Sequence, residues 1–521
     1  MGFESLRISG LASGMDIDQI VKDLMRVERM RVDRLEQDKT LLEWKREDYR
    51  AINTKLKALR DATFELRFQR TFLVKKVTSS DESIVTASAS TNSSEITLNI
   101  EVKSLATAAT RISAGELSLD PSNKIDPSAS LWSQRDKFAD GTLFAGQAEG
   151  DTFSFTINGE TFEFANTVSL DTVISTVNSN ENAGVTMYYD SVADKVSLTS
   201  KVTGDNKVGD EIVLGSESFL QDVLQFAGST ETGGTNAVLT INGLDTERTS
   251  NNFTINGVSI TLKGTTSAGS SVRLEVQRDT DAIFESIKSW VEKYNETIEA
   301  INAELNEERY RDYKPLTDEQ MEELTDRQIE LWEEKAKSGL LKHDPIIQSE
   351  LFKLRSAVYG TVEGISADLN HLSEIGISTG TASYGSNGSI IIDDDYLSGK
   401  LIIDEAELRA AIEEDPDKVM ALFTNSSDVP EEKGIANRAY EALGDAIERI
   451  TDVAGSPSDY VDFSQIGRRI RTINEQIRRE EERLKIVEDR YWRQFTAMEK
   501  AISKMNQQAM WLMSQFGMGG Q

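Results

Sequence analysis

One stretch near the C terminus, Ser464 to Phe516, limits what this chain can fold into. Apolar residues recur there at Ile466, Ile470, Ile473, Ile477, Leu484, Val487, Tyr491, Phe495, Met498, Ile502, Met505 and Leu512. The steps are mostly three, four or seven residues, which draws one apolar seam along a helix. Charges of both signs, from Arg468 and Arg469 to Glu480, Arg483 and Lys485, fill the flank. No proline interrupts the run, and Gly467 is its single glycine before Gly517. At about 1.5 Å per residue the helix reaches roughly 75 Å. Such a helix cannot fold back into an ordinary globule and needs a partner.

The other end of the chain supplies a candidate. Ser13 or Asp16 can cap a helix in which Ile17, Ile20, Leu24 and Val27 repeat at steps of three and four. The seam blurs at Arg31 and Arg34, then resumes through Leu35, Leu42, Tyr49, Ile52, Leu56, Leu59 and Leu66. Both termini read as coiled-coil segments. The alternative, two unrelated helices of a repeat array, lacks any recurring period of about 30–50 residues.

Charge and composition narrow the partners. The net charge is −31, yet from Lys22 to Lys76 there are 16 basic against 10 acidic side chains. The interleaved acids and scarce aromatics argue against nucleic acid and for charged coiled-coil flanks. Cysteine is absent, which removes disulfides and thiolate metal sites. The opening residues lack the apolar core of a secretory signal, and no window of about 18 apolar residues predicts a membrane span.

Between the terminal helices the pattern changes. From Lys75 to about Arg278, Thr, Ser, Asn, Val and Ile dominate, with strict alternation at Ile96, Leu98, Ile100 and Val102. Asn158-Gly159, Asn242-Gly243 and Asn256-Gly257 each follow a Thr-Ile pair, and Asn-Gly favours a two-residue hairpin turn. Phe153, Phe155 and Ile157 are expected to pair with Phe162 and Phe164 across the first. Residues 118–150 read as an irregular excursion, and Gly233-Gly234 as a seam between two nested β-rich domains. Helix returns at Asp279 with a stripe from Ile283 to Leu305. Caps are expected at Thr317 with Gln320, at Asp344-Pro345 and at Asp404 with Glu407; a β-like piece falls at 389–392.

The expected fold is therefore α+β and multidomain, with the terminal helices paired as a coiled coil or bundle around nested β-rich head domains. Its expected parts are a terminal leg (1–45 with 485–521), a helical bundle (46–72 with 279–484), an inner β domain (73–117 with 235–278) and an outer β domain (118–234).

Catalytic patterns do not stand out. His343 and His371 are separated by Pro345 and read as surface residues. Asp393, Asp394 and Asp395 lack the spacing of a calcium loop and read as a solvated turn. No catalytic, cofactor or metal residues are expected. Met498, Met505, Met510 and Met513, beside Trp511 and Phe516, instead suit either a coiled-coil core or an adaptable binding surface.

The pieces resemble the flagellar filament cap protein family, also called flagellar hook-associated protein 2. Ile-Ser-Gly-Leu-Ala-Ser-Gly-Met-Asp-Ile-Asp at 8–18 is similar to the family's opening motif. The Phe-Thr-Ile-Asn-Gly segments, with Ser169-Leu170 and Val177-Asn178-Ser179, resemble its flagellin–hook β motif. Tyr294-Asn295, Lys314-Pro315-Leu316-Thr317, Trp332-Glu333, Gly339-Leu340-Leu341 and Ile402-Ile403-Asp404 resemble its helical signatures. The resemblance implies a non-enzymatic protein, exported through the flagellum without signal cleavage, that forms a homo-oligomeric ring, expected to be a pentamer, at the filament tip. Its implied partners are flagellin, hook–filament junction proteins and an export chaperone on the C-terminal helix. No nucleic acid or membrane is implied. Leg residues Ile17, Ile20, Leu24 and Val27, with Met498, Ile502, Met505, Ala509, Leu512 and Phe516, are the expected partner-binding positions. Adhesion by the β head, a junction or flagellin-like role, and a secreted hydrolase are the competing readings.

Overall fold

The computed structural model describes residues 14–379, 382–384, 390–392, 398–458 and 460–516. Two compact units divide the chain: the ends up to Phe72 and from Thr280 build one, and Leu73–Asp279 the other.

Helix α1 (Ile17–Leu66) begins at Asp16, whose carboxylate accepts from the Gln19 amide at 3.0 Å. This satisfies one of the amides a helix start leaves open. Short α2 (Gln69–Phe72) turns Phe72 fully inward, where its ring stacks on Phe423 at 5.7 Å.

The second unit holds two cores. In the inner one, β1 (Lys75–Ser79), β2 (Val85–Ala89) and β3 (Ile96–Ser104) combine with β10–β14 from later in the chain. Within β3, Leu98, Ile100 and Val102 are buried while Thr97 and Asn99 face out, the alternation its sequence predicts. The outer core starts at β4 (Ala108–Ile112) and adds a hairpin, β5 (Thr152–Ile157) with β6 (Glu160–Ala165). Helix α3 (Leu170–Ser179), β7 (Val185–Asp190), β8 (Lys195–Thr203) and the short β9 (Glu231–Thr232) complete it, in sheet order β7-β8-β4-β9. Phe153, Phe155, Phe162 and Phe219 form its centre, with Phe153 and Phe219 rings 4.4 Å apart.

Residues 118–150 hold no strand, as expected from their polarity. They nevertheless send Ile125, Leu131, Phe138 and Phe144 into this core. Isolated bridges such as Ser118 with Phe138 and Ser130 with Ser169 pair part of this backbone, and side chains add to them: Gln134 accepts from the Asp126 amide, and Asp194 from the Ser118 amide, both at 2.8 Å.

The chain returns to the inner core through β10 (Ala237–Ile241), β11 (Leu244–Arg248), β12 (Asn252–Ile255), β13 (Val258–Leu262) and β14 (Val272–Arg278). Its sheets run β1-β14-β3-β10-β11 and β12-β13-β2. These three Asn-Gly pairs make two-residue turns, with both residues at positive φ, for example 53° at Asn158 and 84° at Gly159. The first sets Phe153 opposite Phe164 and Phe155 opposite Phe162. The inner and outer cores meet where Thr107 and Thr235 exchange backbone hydrogen bonds at 2.9 and 3.2 Å.

From α4 (Thr280–Asn306) onward the chain rebuilds the first unit. The stripe from Ile283 to Leu305 is buried, and Trp290 donates to the Thr63 hydroxyl of α1 at 2.9 Å. Helices α5 (Asp318–Glu322) and α6 (Asp326–Lys337) follow, the first with the Thr317–Gln320 capping box. Asp344 caps α7 (Pro345–Tyr359) and also accepts from Tyr49 at 2.7 Å and Lys45 at 3.2 Å on α1. Two small hairpins, β15 (Ile377–Ser378) with β18 (Ile402–Ile403) and β16 (Ala382–Tyr384) with β17 (Ile390–Ile392), precede the last helices. These are α8 (Glu405–Glu414), capped by Asp404, then α9 (Pro416–Thr424), α10 (Ile435–Ala454) and α11 (Gln465–Phe516). A continuous core joins α1 from Tyr49 to Leu66 with α4, α7, α8, α9, α10 and the start of α11.

Asp48, on α1, is half-buried beside Glu304 and Glu307 at a cost. Burial, then Glu304, Glu307 and Glu47, push its carboxyl up to about 7, against the opposing pull of Lys45. Its folded value lies above its unfolded one, so the folded state binds the extra proton and stability falls as pH rises from about 4 to 7. The helical unit should therefore melt at a higher temperature at pH 5.5 than at pH 8. Asp48→Asn should raise the pH 8 midpoint and shrink the difference, as followed by circular dichroism at 222 nm.

Candidate assembly interface

Helices α1 and α11 run antiparallel along each other. At one end Arg46 and Arg50 each reach Asp462, just before α11, at 3.4 Å. Burial works against the Asp462 charge. Hydrogen bonds from Ser464 and the two arginines outweigh it and hold the carboxyl below the usual carboxylate range. Arg50 also donates to the Ala454 and Gly455 carbonyls at 3.1 and 3.3 Å, closing the open end of α10. Gly467 lies under this turn, where an added Cβ would collide with the Asp462 carboxyl. That explains the one glycine of the long helix. Further along, Arg483 donates to Glu28 at 2.7 Å.

The inward face of α1 follows a seven-residue frame: Val21, Glu28, Leu35, Leu42, Tyr49, Leu56 and Thr63 are all buried or half-buried. Ile17 and Val32 are buried beside it, as are Leu484 and Val487 on α11. Glu28 occupies a frame position that carries an apolar residue at Val21, Leu35, Leu42 and Leu56, and the Arg483 guanidinium satisfies it there. Val21, Met25, Leu484 and Trp492 line a cleft of about 520 Å³ between the two helices.

The expected binding residues divide by face. Ile17 is buried within the pair and Ile20 is half-buried, whereas Leu24 and Val27 (66% exposed) point outward with Met30. On α11, Met498 and Ile502 are half-buried; Met505 (66%), Ala509 and Leu512 are exposed, with Trp511 at 62%. The Phe516 side chain and Asp393–Asp395 lie outside the described residues. Val21, Glu28, Val32 and Arg483 were not anticipated. Counting back in sevens from Leu42 and Leu35 finds Glu28 and Val21, but the more apolar Leu24 and Val27 draw attention first.

The pairing implies a length mismatch. Glu28 meets Arg483 and α1 begins at Ile17, so α11 runs on past the described start of α1 by about 20 residues, roughly 30 Å. Its exposed apolar residues cluster in this overhang.

Val21→Asp should loosen the α1–α11 pair, because a carboxylate replacing this buried valine is desolvated and removes its apolar contact. Val27→Asp should not. Hydrogen exchange of α11 amides from Ile477 to Tyr491 distinguishes them: faster exchange is expected only in the first variant.

Comparisons with known proteins agree with this architecture. The family model described as flagellar hook-associated protein 2 N-terminus matches residues 13–109, and its C-terminus counterpart matches residues 234–507. The flagellar hook-associated protein 2 of Halalkalibacterium halodurans is 33% identical, covering 96% of this chain and 98% of its own length. That of Thermotoga maritima is 33% identical over 68% of this chain and 53% of its own. The crystal structure of the D1-D2-D3 domains of the flagellar cap protein FliD from Escherichia coli shares the fold, with TM-score 0.52 and 20% identity, over 76% of this chain and 95% of that one. The chain thus belongs to the flagellar hook-associated protein 2 family.

Proposed function

We propose that this chain is the capping scaffold at the distal tip of a bacterial flagellar filament, where a ring of copies guides exported flagellin into the growing end. The observation that carries this reading is the apolar surface left over after α1 and α11 have paired. Leu24, Val27 and Met30 form an outer stripe on α1, and Met505, Met510, Trp511, Leu512 and Met513 lie exposed on the overhang of α11. Burial of such surface stabilises a contact by about 25 cal/mol per Å². Ring neighbours and flagellin are the occupants the reading assigns, with hook–filament junction proteins as earlier contacts. The ring is taken as a pentamer.

Before assembly the same overhang is a liability, since exposed apolar patches promote aggregation. A chaperone covering α11 and export through the flagellum without signal cleavage fit that need. The terminal leg, helical bundle, inner β domain and outer β domain serve as the working division of labour. Family membership favours the cap over the adhesive and flagellin-like readings.

Val27→Asp combined with Met505→Asp tests the reading, because both side chains are exposed and neither supports the fold. The variant should keep its circular dichroism and melting temperature, yet restore little or no swimming to cells lacking the unaltered protein. Normal motility contradicts the proposal. Electron microscopy of the purified chain should show closed rings rather than filaments.

A further inference from the structure

Helices α7 and α10 line a second groove, of about 600 Å³. Asp445, Glu448 and Asp452 line it from α10 in steps of three and four, with Arg449 among them, so the ridge is acidic on balance. All three are exposed, and among the described residues they have no hydrogen bond or ion pair. Glu350 comes from α7 and differs from them: it is only 7% exposed. Its Oε1 accepts from Lys353 at 2.8 Å, whereas its buried Oε2 has no partner. A buried carboxylate oxygen without a donor is costly, and positive charge brought up to the groove offsets it through space. Pro345 and Ile346 offer apolar walls for the stem of a long cationic side chain. A bare metal ion fits less well, since no group of three acids among the described residues is arranged to hold one.

A matching stripe exists on the same chain. Arg468, Arg471, Arg478 and Arg479 lie on the exposed face of α11, opposite the buried Ile466, Ile470 and Ile473. Arg478 and Arg479 have no ion pair among the described residues. The interval from Asp445 to Asp452 and that from Arg471 to Arg478 are both seven residues, about 10 Å along a helix, so the two ridges can meet in register. With a net charge of −31, copies repel at long range. Association then depends on placing local positive charge against local negative charge.

We infer that the α7–α10 groove of one copy receives the α11 arginine stripe of the next. The two surfaces differ, so the contact is heterologous and repeats around a closed ring. This rests on the ring reading above and adds which surfaces meet.

The chain has no cysteine, so introduced thiols report only designed contacts. Ser349→Cys in the groove and Glu475→Cys within the arginine stripe are both at exposed positions. Mild oxidation of the assembled full chain should yield a reducible ladder of covalent multimers with both substitutions and none with either alone. Independently, Asp445→Lys with Glu448→Lys should abolish most of the assembled fraction at low salt by native mass measurement. Adding Arg471→Glu and Arg478→Glu in the same chain should restore it. Full assembly of the Lys variant without a ladder overturns the groove contact and leaves the ring standing. A covalent dimer from Ser349→Cys alone means the groove meets itself, which also overturns it. An unaltered chain that stays monomeric at every concentration overturns the ring reading and the groove contact with it.

Discussion

The pairing of the two chain ends is the constraint on which the helical unit depends. Arg46 and Arg50 on α1 meet Asp462 across more than 400 residues of sequence, separations of 416 and 412. Loop-closure entropy grows only logarithmically with length, so holding such distant segments together costs little more than holding near ones. A large sheet-bearing insertion is therefore compatible with the pair. The anchor is also economical in groups: one partly buried carboxylate takes two guanidiniums and the Ser464 amide, and Arg50 closes α10 as well.

That pairing leaves α1 with two unlike faces. The inward face is satisfied within the chain, including the Glu28–Arg483 pair at a position that would otherwise be apolar. Among the described residues, Leu24, Val27 and Met30 of the outward stripe and Met505, Met510, Leu512 and Met513 of the overhang stay exposed. A long helix that buries only one of its apolar faces is built for contacts outside its own fold. The arginine stripe and the acidic ridge of α10 extend the same logic to charge. Hydrophobic contact supplies strength, while placed charge selects which surfaces meet.

Much of the architecture is legible from local chemistry. Asp16, Thr317, Asp344 and Asp404 cap the helices their sequences predict, because an N-cap is decided within three residues. The Asn-Gly turns fix their hairpins for the same reason. Residues 118–150 show the opposite. Ile125, Leu131, Phe138 and Phe144 are core anchors, but their spacing follows no helical or strand period, so nothing local marks them as buried.

By itself, then, the sequence determined the element types, the pairing of the ends and the family to which the chain belongs, since periodicity, caps, turns and motifs are encoded over short spans. Only the tertiary structure decided which apolar residues of α1 face inward. Ile17 and Val21 are buried and Leu24 and Val27 are not, although all four are apolar and lie within three turns. The difference arises because α11 packs against the face that carries Val21, Glu28 and Leu35, with Arg483 meeting Glu28 there. The same holds for Glu350: a glutamate on a helix reads as solvated until α10 packs over it and leaves one oxygen without a donor.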